Sequence, residues 1–177
     1  MGTMKEQVRL VDPEESWRNE FIAYCEEFRD AGEHVAHGQL ADATADFPGL
    51  LRKWADHAAG MNLGEGQVPC SVFWLVQGRR IIGTARLRHC LNERTSREGG
   101  HIGYEVRPSE RGRGYATLML SMVLQKAGEK GLDRILVTCQ KDSAASVRVI
   151  EKNGGAIEDE IVSERTGKPA LRFWIAL

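Results

Sequence analysis

The apolar positions change period along the chain, and each change marks an element. Val8–Val11 reads as a short strand closed by Asp12, since a following proline disfavours helix at that residue. Over residues 14–31, Trp17, Phe21, Tyr24, Cys25 and Phe28 recur at spacings of three and four. That spacing predicts a helix with one apolar stripe, ended by Gly32. Residues 33–49 show no clear period. Asp46-Phe47-Pro48-Gly49 reads as a turn before a second helix over 50–59, and 61–69 reads as a loop. Cys70–Gln77 is rich in Val, Phe and Trp and predicts a strand, joined through Gly78-Arg79 to a hairpin partner over 80–90. The polar stretch 91–100 reads as a loop, and a strand follows over 101–107, stopped by Pro108. Residues 114–130 predict a helix that is apolar around much of its circumference and so must pack on a sheet. A strand over 133–139, a helix over 143–153 and strands over 156–163 and 170–177 complete the chain. This is a mixed α/β (α+β) order with local hairpins, in one domain over 1–177.

Composition narrows the classes. The chain has 177 residues, 42% hydrophobic and 28% charged, which suits one domain with a sizeable core. A formal net charge of −1 argues against broad nucleic-acid binding. No apolar run reaches the roughly 18 residues of a membrane span, and no charged start precedes an apolar leader core. Cys25, Cys70, Cys90 and Cys139 form no C-x-x-C pair and read as free thiols of a cytoplasmic protein. His34 and His37 could share a helical face, but no third ligand lies nearby, so no metal site is expected.

The chemistry concentrates between His101 and Thr117. There a strand ending Val106-Arg107-Pro108 leads through Arg111-Gly112-Arg113-Gly114-Tyr115-Ala116 into a helix. A helix start offers unpaired N–H groups and roughly half a positive charge, a geometry suited to phosphate. Gly112 and Gly114 allow close backbone approach, Arg111 and Arg113 add charge, and Ala116 is small. The segment lacks the lysine of a Walker loop, and Thr117 stands where a dinucleotide fingerprint needs its third glycine. Arg111, Gly114 and Ala116 instead fill a Q/R-x-x-G-x-G/A pattern, which resembles the coenzyme A loop of the GNAT acetyltransferase superfamily. Downstream, Ser146, Glu151, Lys152 and Gly154 resemble that family's second signature, with Ser143 replacing its asparagine and Gly155 its aromatic residue. The resemblance covers roughly residues 70–177. Residues 1–69 fit only as a first strand and variable helices on the substrate side.

The resemblance implies one largely antiparallel central sheet of about six to seven strands, flanked by helices, with strands four and five splayed apart. It implies an N-acetyltransferase that moves an acetyl group from acetyl-coenzyme A to a primary amine of a small molecule or peptide. The competing reading is a coenzyme-binding module with weak or lost catalysis. Backbone near Glu105, Val106 and Arg107 would pair with the pantetheine arm, the amides of Arg111, Gly112, Arg113, Gly114, Tyr115 and Ala116 would hold the pyrophosphate, and Ser143 and Ser146 would sit beside the coenzyme. A base must deprotonate the amine, and a backbone N–H near Val106 would face the developing oxyanion. His101 stands where many relatives carry glutamate and reads either as the base or as a structural histidine hydrogen-bonded to the loop; Glu105 lies four residues on, with the same strand parity. A bulge would reverse that parity. The family's acid tyrosine is replaced by Ile150, and Tyr104, on the other parity, reads as core. Cys139 reads as packing rather than an acyl carrier, and Trp17, Trp54 and Trp74 as packing too. Arg86, Arg88, His89 and Arg94 place positive charge on the third strand and its following loop, where an anionic substrate or the coenzyme's 3′-phosphate could meet it. Many relatives are dimers, so a homodimer is expected as an option.

Overall fold

The computed structural model describes residues 7–33 and 40–177, so the His34/His37 pair lies outside the described residues. β1 (Val8–Val11) leads through a 3-10 turn (Glu15–Trp17) into α1 (Arg18–Asp30), followed by α2 (Leu40–Ala45) and α3 (Phe47–Ala58). The hairpin β2 (Cys70–Gln77) and β3 (Arg80–Arg88) precedes α4 (Glu93–Arg97) and β4 (Ile102–Val106). Then come α5 (Tyr115–Glu129), β5 (Arg134–Gln140), α6 (Ala144–Lys152), β6 (Ala156–Val162) and β7 (Pro169–Ala176).

Two stretches fold differently from their sequence reading, each because of a cap. Residues 46–49 are no free-standing turn: the Asp46 carboxylate accepts the Gly49 N–H at 2.9 Å, and Pro48 fits the first turn, so α3 starts at Phe47. The loop over 91–100 contains α4. Asn92 accepts the Thr95 N–H and Thr95 Oγ1 accepts the Asn92 N–H, both at 2.9 Å, a reciprocal capping box in which threonine stands where glutamate is usual.

The expected central sheet is hydrogen-bonded in two parts. β1-β2-β3-β4 form one antiparallel sheet and β5-β7-β6 another. They meet where the His101 N–H donates to the Leu136 carbonyl (2.7 Å) and the Leu136 N–H donates to His101 Nδ1 (2.9 Å). Ladder bonding between β4 and β5 goes no further, which is the splay in its complete form.

Each face of the first sheet buries a separate core. Phe73, Leu75, Ile82, Ala85 and Leu87 pack against Met119, Leu120, Val123 and Ala127 of α5, and this core continues to Ile135, Val137, Ile150 and Phe173. On the other face Val72, Trp74, Val76 and Ile81 meet Phe21, Tyr24, Phe28, Phe47, Leu50 and Trp54. Phe21 stacks on Trp74 with ring centroids 5.0 Å apart, and Trp54 meets Trp74 edge-on at 6.3 Å. Each such side chain contributes about 1.5–3 kcal/mol of burial, so the three tryptophans are packing residues as expected. A register shift opposite Leu75/Val76 resets the alternation of β3. Ile81 and Ile82 alternate into separate cores, and past the extra residue, Thr84 returns to the Ile81 side, facing Tyr24.

α1 is fastened to the sheet by charge as well as by its apolar stripe. The buried Arg107 guanidinium, just past β4, binds Glu20 Oε1 and Glu27 Oε2 at 2.5 Å each. Glu27 Oε1 also accepts the Ser109 N–H at 2.8 Å. Burial pushes the Glu27 carboxyl up, but the bonds from Arg107 and Ser109 prevail and bring it from 4.5 down to about 2. Arg107→Met strands these carboxylates and should cost about 3 kcal/mol in urea unfolding, toward the lower bound for a broken pair because both acids are partly exposed. Because the folded value of Glu27 is depressed, its contribution is present above pH 4.5 and is lost as pH falls toward 2. In Glu27→Gln the stability–pH curve should be flatter across that window.

Candidate functional site

The β4–α5 connection lines a cleft beside the gap between the sheets. Gly114 caps α5 at φ +82° and Gly112 lies at φ +76°, a left-handed backbone that glycine adopts without penalty. No side chain caps this helix start. Among the described residues, the backbone N–H groups of residues 112–117 have no protein partner. A Cβ built on Gly112 or Gly114 would meet no atom within 4 Å. Gly112, Gly114, Tyr115, Ala116 and Thr117 line a cleft of about 520 Å³.

Tyr104, Glu105, Val106, Arg111, Gly112, Gly114, Tyr115, Ala116 and Ser146 of the sequence-derived set line this cleft. Across it stand Arg148 and Lys152 of α6, one helical turn apart and with no ion-pair partner among the described residues. The sequence reading gave neither a role, although their i,i+4 spacing beside Ser146 was the available signal. Ser143 caps α6 and donates its hydroxyl to Ser146 Oγ at 2.9 Å, one remove from the cleft.

Three basic side chains are engaged elsewhere. Arg107 is turned to α1, so only its backbone remains for the cleft. Arg113 pairs with Glu110 at 3.0 Å. Arg111 donates from Nη1 and Nη2 to both oxygens of Glu33 at 2.8 Å, donates from Nε to the Val106 carbonyl at 3.1 Å, and lies 5.6 Å over the Phe28 ring.

The base candidates separate sharply. His101 is buried and its Nδ1 accepts the Leu136 N–H, so in the neutral ring the proton is on Nε2. That leaves no lone pair for an amine proton. Burial, aided by Arg88 and Arg134, also lowers its basicity. The ring does not line the cleft and fastens β4 to β5, which favours the structural role over the base role. Glu105 lines the cleft and accepts a hydrogen bond from Thr84 Oγ1 at 3.1 Å; Tyr24 Oη lies 3.4 Å from that same oxygen. β4 pairs with β3 without a bulge, so Glu105 stays on the Thr84 face, toward α1.

Tyr104 is not simply core. It packs on the α5 core and also lines the cleft, with its buried hydroxyl lacking a partner. Burial raises its pKa, so the phenol stays protonated and can donate a hydrogen bond. Cys139 is pushed up to about 11 by burial, which leaves it a poor nucleophile at neutral pH, in keeping with packing. Ile150 is fully buried.

A family model described as "Acetyltransferase (GNAT) domain" matches residues 15–156. No curated protein sequence matches the chain. Solved structures share the fold at low identity. The microcin C7 self-immunity acetyltransferase MccE, in complex with acetyl-CoA and AMP, is 12% identical over 99% of this chain and 94% of its own, with a TM-score of 0.71. RimJ of Mycobacterium smegmatis, in complex with CoA-disulfide, is 17% identical over 96% and 81%, with a TM-score of 0.72. A chimera of spermidine N-acetyltransferase SpeG from Vibrio cholerae and hSSAT is 16% identical over 96% and 95%, with a TM-score of 0.64. Among the described residues no helix is long and apolar enough to cross a membrane. With the match over most of its length, the chain belongs to the GNAT acetyltransferase family.

Proposed function

We propose that this protein transfers the acetyl group of acetyl-coenzyme A to a primary amine of a small molecule or peptide by direct attack. One observation carries the reading: a row of unpartnered amides at the start of α5 faces Arg148 and Lys152 across a cleft that also contains Glu105. Two relatives of this fold are described in complex with coenzyme A species, and a third is named for acetylating spermidine.

Acetyl-coenzyme A supplies the activated acyl thioester. The amides of residues 112–117 and the α5 dipole would hold its pyrophosphate, with Arg148 and Lys152 as counter-charges. The Val106 carbonyl is bonded to Arg111, so strand-like pairing of the pantetheine arm at that carbonyl requires Arg111 to shift or share it. An ammonium has no lone pair, so the acceptor must lose a proton before attack. Two carboxylates line the cleft; Glu110 is paired with Arg80 and Arg113, and Glu105, steadied by Thr84, is assigned that role. Tyr104 offers a protonated phenol to the thioester end. Its raised pKa makes it a hydrogen-bond donor rather than a source of transferable protons.

Calorimetric titration should show coenzyme A binding, and Gly114→Val should weaken it at least about tenfold, because a β-branched residue strains this left-handed position by about 1–2 kcal/mol and fills the open space before the amides. Unchanged affinity would remove the loop from the site. In a thiol-release assay across an amine panel, Glu105→Gln should lower kcat about 10²- to 10³-fold while coenzyme affinity holds. Tight coenzyme binding with no turnover of any amine would favour a binding module.

A further inference from the structure

A second cavity, of about 800 Å³, opens beside β5 and carries an unusual lining. Five guanidinium groups, of Arg88, Arg94, Arg97, Arg165 and Arg172, face it together with the carboxylates of Glu98 and Glu164. Not all that charge is available. Arg172 is held by both oxygens of Asp159 at 2.6 Å, and Arg97 pairs with Glu164 at 3.1 Å. Glu98 is occupied too, accepting from Ser163 Oγ at 2.6 Å and from the Glu164 N–H at 3.0 Å.

Three arginines have no carboxylate partner among the described residues: Arg88, Arg94 and Arg165. Arg94 and Arg165 are exposed, but Arg88 is half-buried. Its Nη1 donates to the carbonyls of Gly99 (3.3 Å) and Gly100 (2.9 Å), which fixes the side chain without neutralising it. A fixed, partly desolvated guanidinium with carbonyl partners alone leaves Nε and Nη2 to bind an anion in bidentate fashion.

Arg88, which lines this cavity, shares a strand face with the residue that supports Glu105. Thr84, Arg86 and Arg88 alternate onto one face of β3, and Glu105 is the cross-strand neighbour of Thr84 on that face. From Thr84 to Arg88 is about 14 Å along the strand, at roughly 3.4 Å per residue, with Arg86 between them on the same face. A small molecule with its amine toward Glu105 would extend past Arg86 and bring an anionic group toward Arg88.

We propose that the acceptor is a small amine that also carries an anionic group, carboxylate or phosphate, and that Arg88, with Arg94 and Arg165 at the rim, forms the subsite that selects it. This rests on the acetyltransferase reading above and names its acceptor class. It disfavours polyamines, whose second ammonium would enter a cationic cavity.

The test compares matched acceptors by thiol release: aspartate against its diamide, and phosphoethanolamine against ethanolamine, with spermidine as the cationic control. At least one anionic member should exceed its neutral partner about tenfold or more in kcat/KM, and the better pair tells carboxylate from phosphate. Arg88→Gln should bring that ratio to near one with coenzyme affinity unchanged. Because Arg88 also ties down residues 99–100, the double variant Arg94→Gln/Arg165→Gln gives a fold-neutral check and should lower the ratio about threefold or more. Equal or better turnover of the neutral partners or of spermidine would overturn the proposal while leaving the acetyltransferase reading intact. If no amine is turned over, calorimetry with aspartate and phosphoethanolamine decides. Saturable binding lost in Arg88→Gln supports the anion subsite even though the acetyltransferase reading fails, and absence of saturable binding removes the subsite.

Discussion

The two bonds between His101 and Leu136 are the constraint on which the rest of the structure depends. They join two sheets that share no other ladder, and they fix the point from which β4 and β5 diverge. Their closeness depends on the residue before. Gly100 holds φ +59°, and a Cβ there would collide with the Leu136 carbonyl. An imidazole acceptor at this junction, in place of a backbone carbonyl, satisfies a buried N–H that would otherwise cost about 1–3 kcal/mol. The gap thus opens where the strands end their mutual bonding, and the helix start that β4 runs into lines the cleft beside it.

A second set of interactions gives the cleft its wall. Glu20, Glu27 and Glu33 lie on or just past one helix, and each bonds an arginine from the β4–α5 connection. The stripe of α1 that faces the sheet is aromatic, while its margin is acidic. Apolar burial sets how deeply the helix lies; the charged margin sets its register against residues 107–111. The acidic margin engages Arg107 and Arg111, and Glu110 engages Arg113, so backbone amides and the two α6 cations are the groups of this loop and its neighbour without a carboxylate partner among the described residues.

Much of this was legible in the sequence because local rules and tertiary demands agree. The aromatic spacing of α1, the Val-rich hairpin and the glycine punctuation of the α5 loop each specify one element. Asp46 and Asn92 were misread because a cap residue and a turn residue are chemically the same until the partner amide is seen. The role of His101 stayed open for a related reason: sequence shows that an imidazole is present, whereas its lone pair is committed by a strand 35 residues away. The engagement of Arg107 by α1 likewise spans 80 residues and leaves no local trace. Tyr104 was assigned to the core by parity, yet a residue at the lip of a splay can be packed along its ring and open at its hydroxyl.

The bidentate Arg111–Glu33 pair couples parts of the chain that have separate tasks. An anion that draws Arg111 away must loosen the tail of α1, and anything that holds Glu33 in place must in turn weaken that anion's grip. The coupling is reciprocal by thermodynamic necessity. A ligand that displaced Arg111 would by this route be felt in the helical layer over the opposite sheet face.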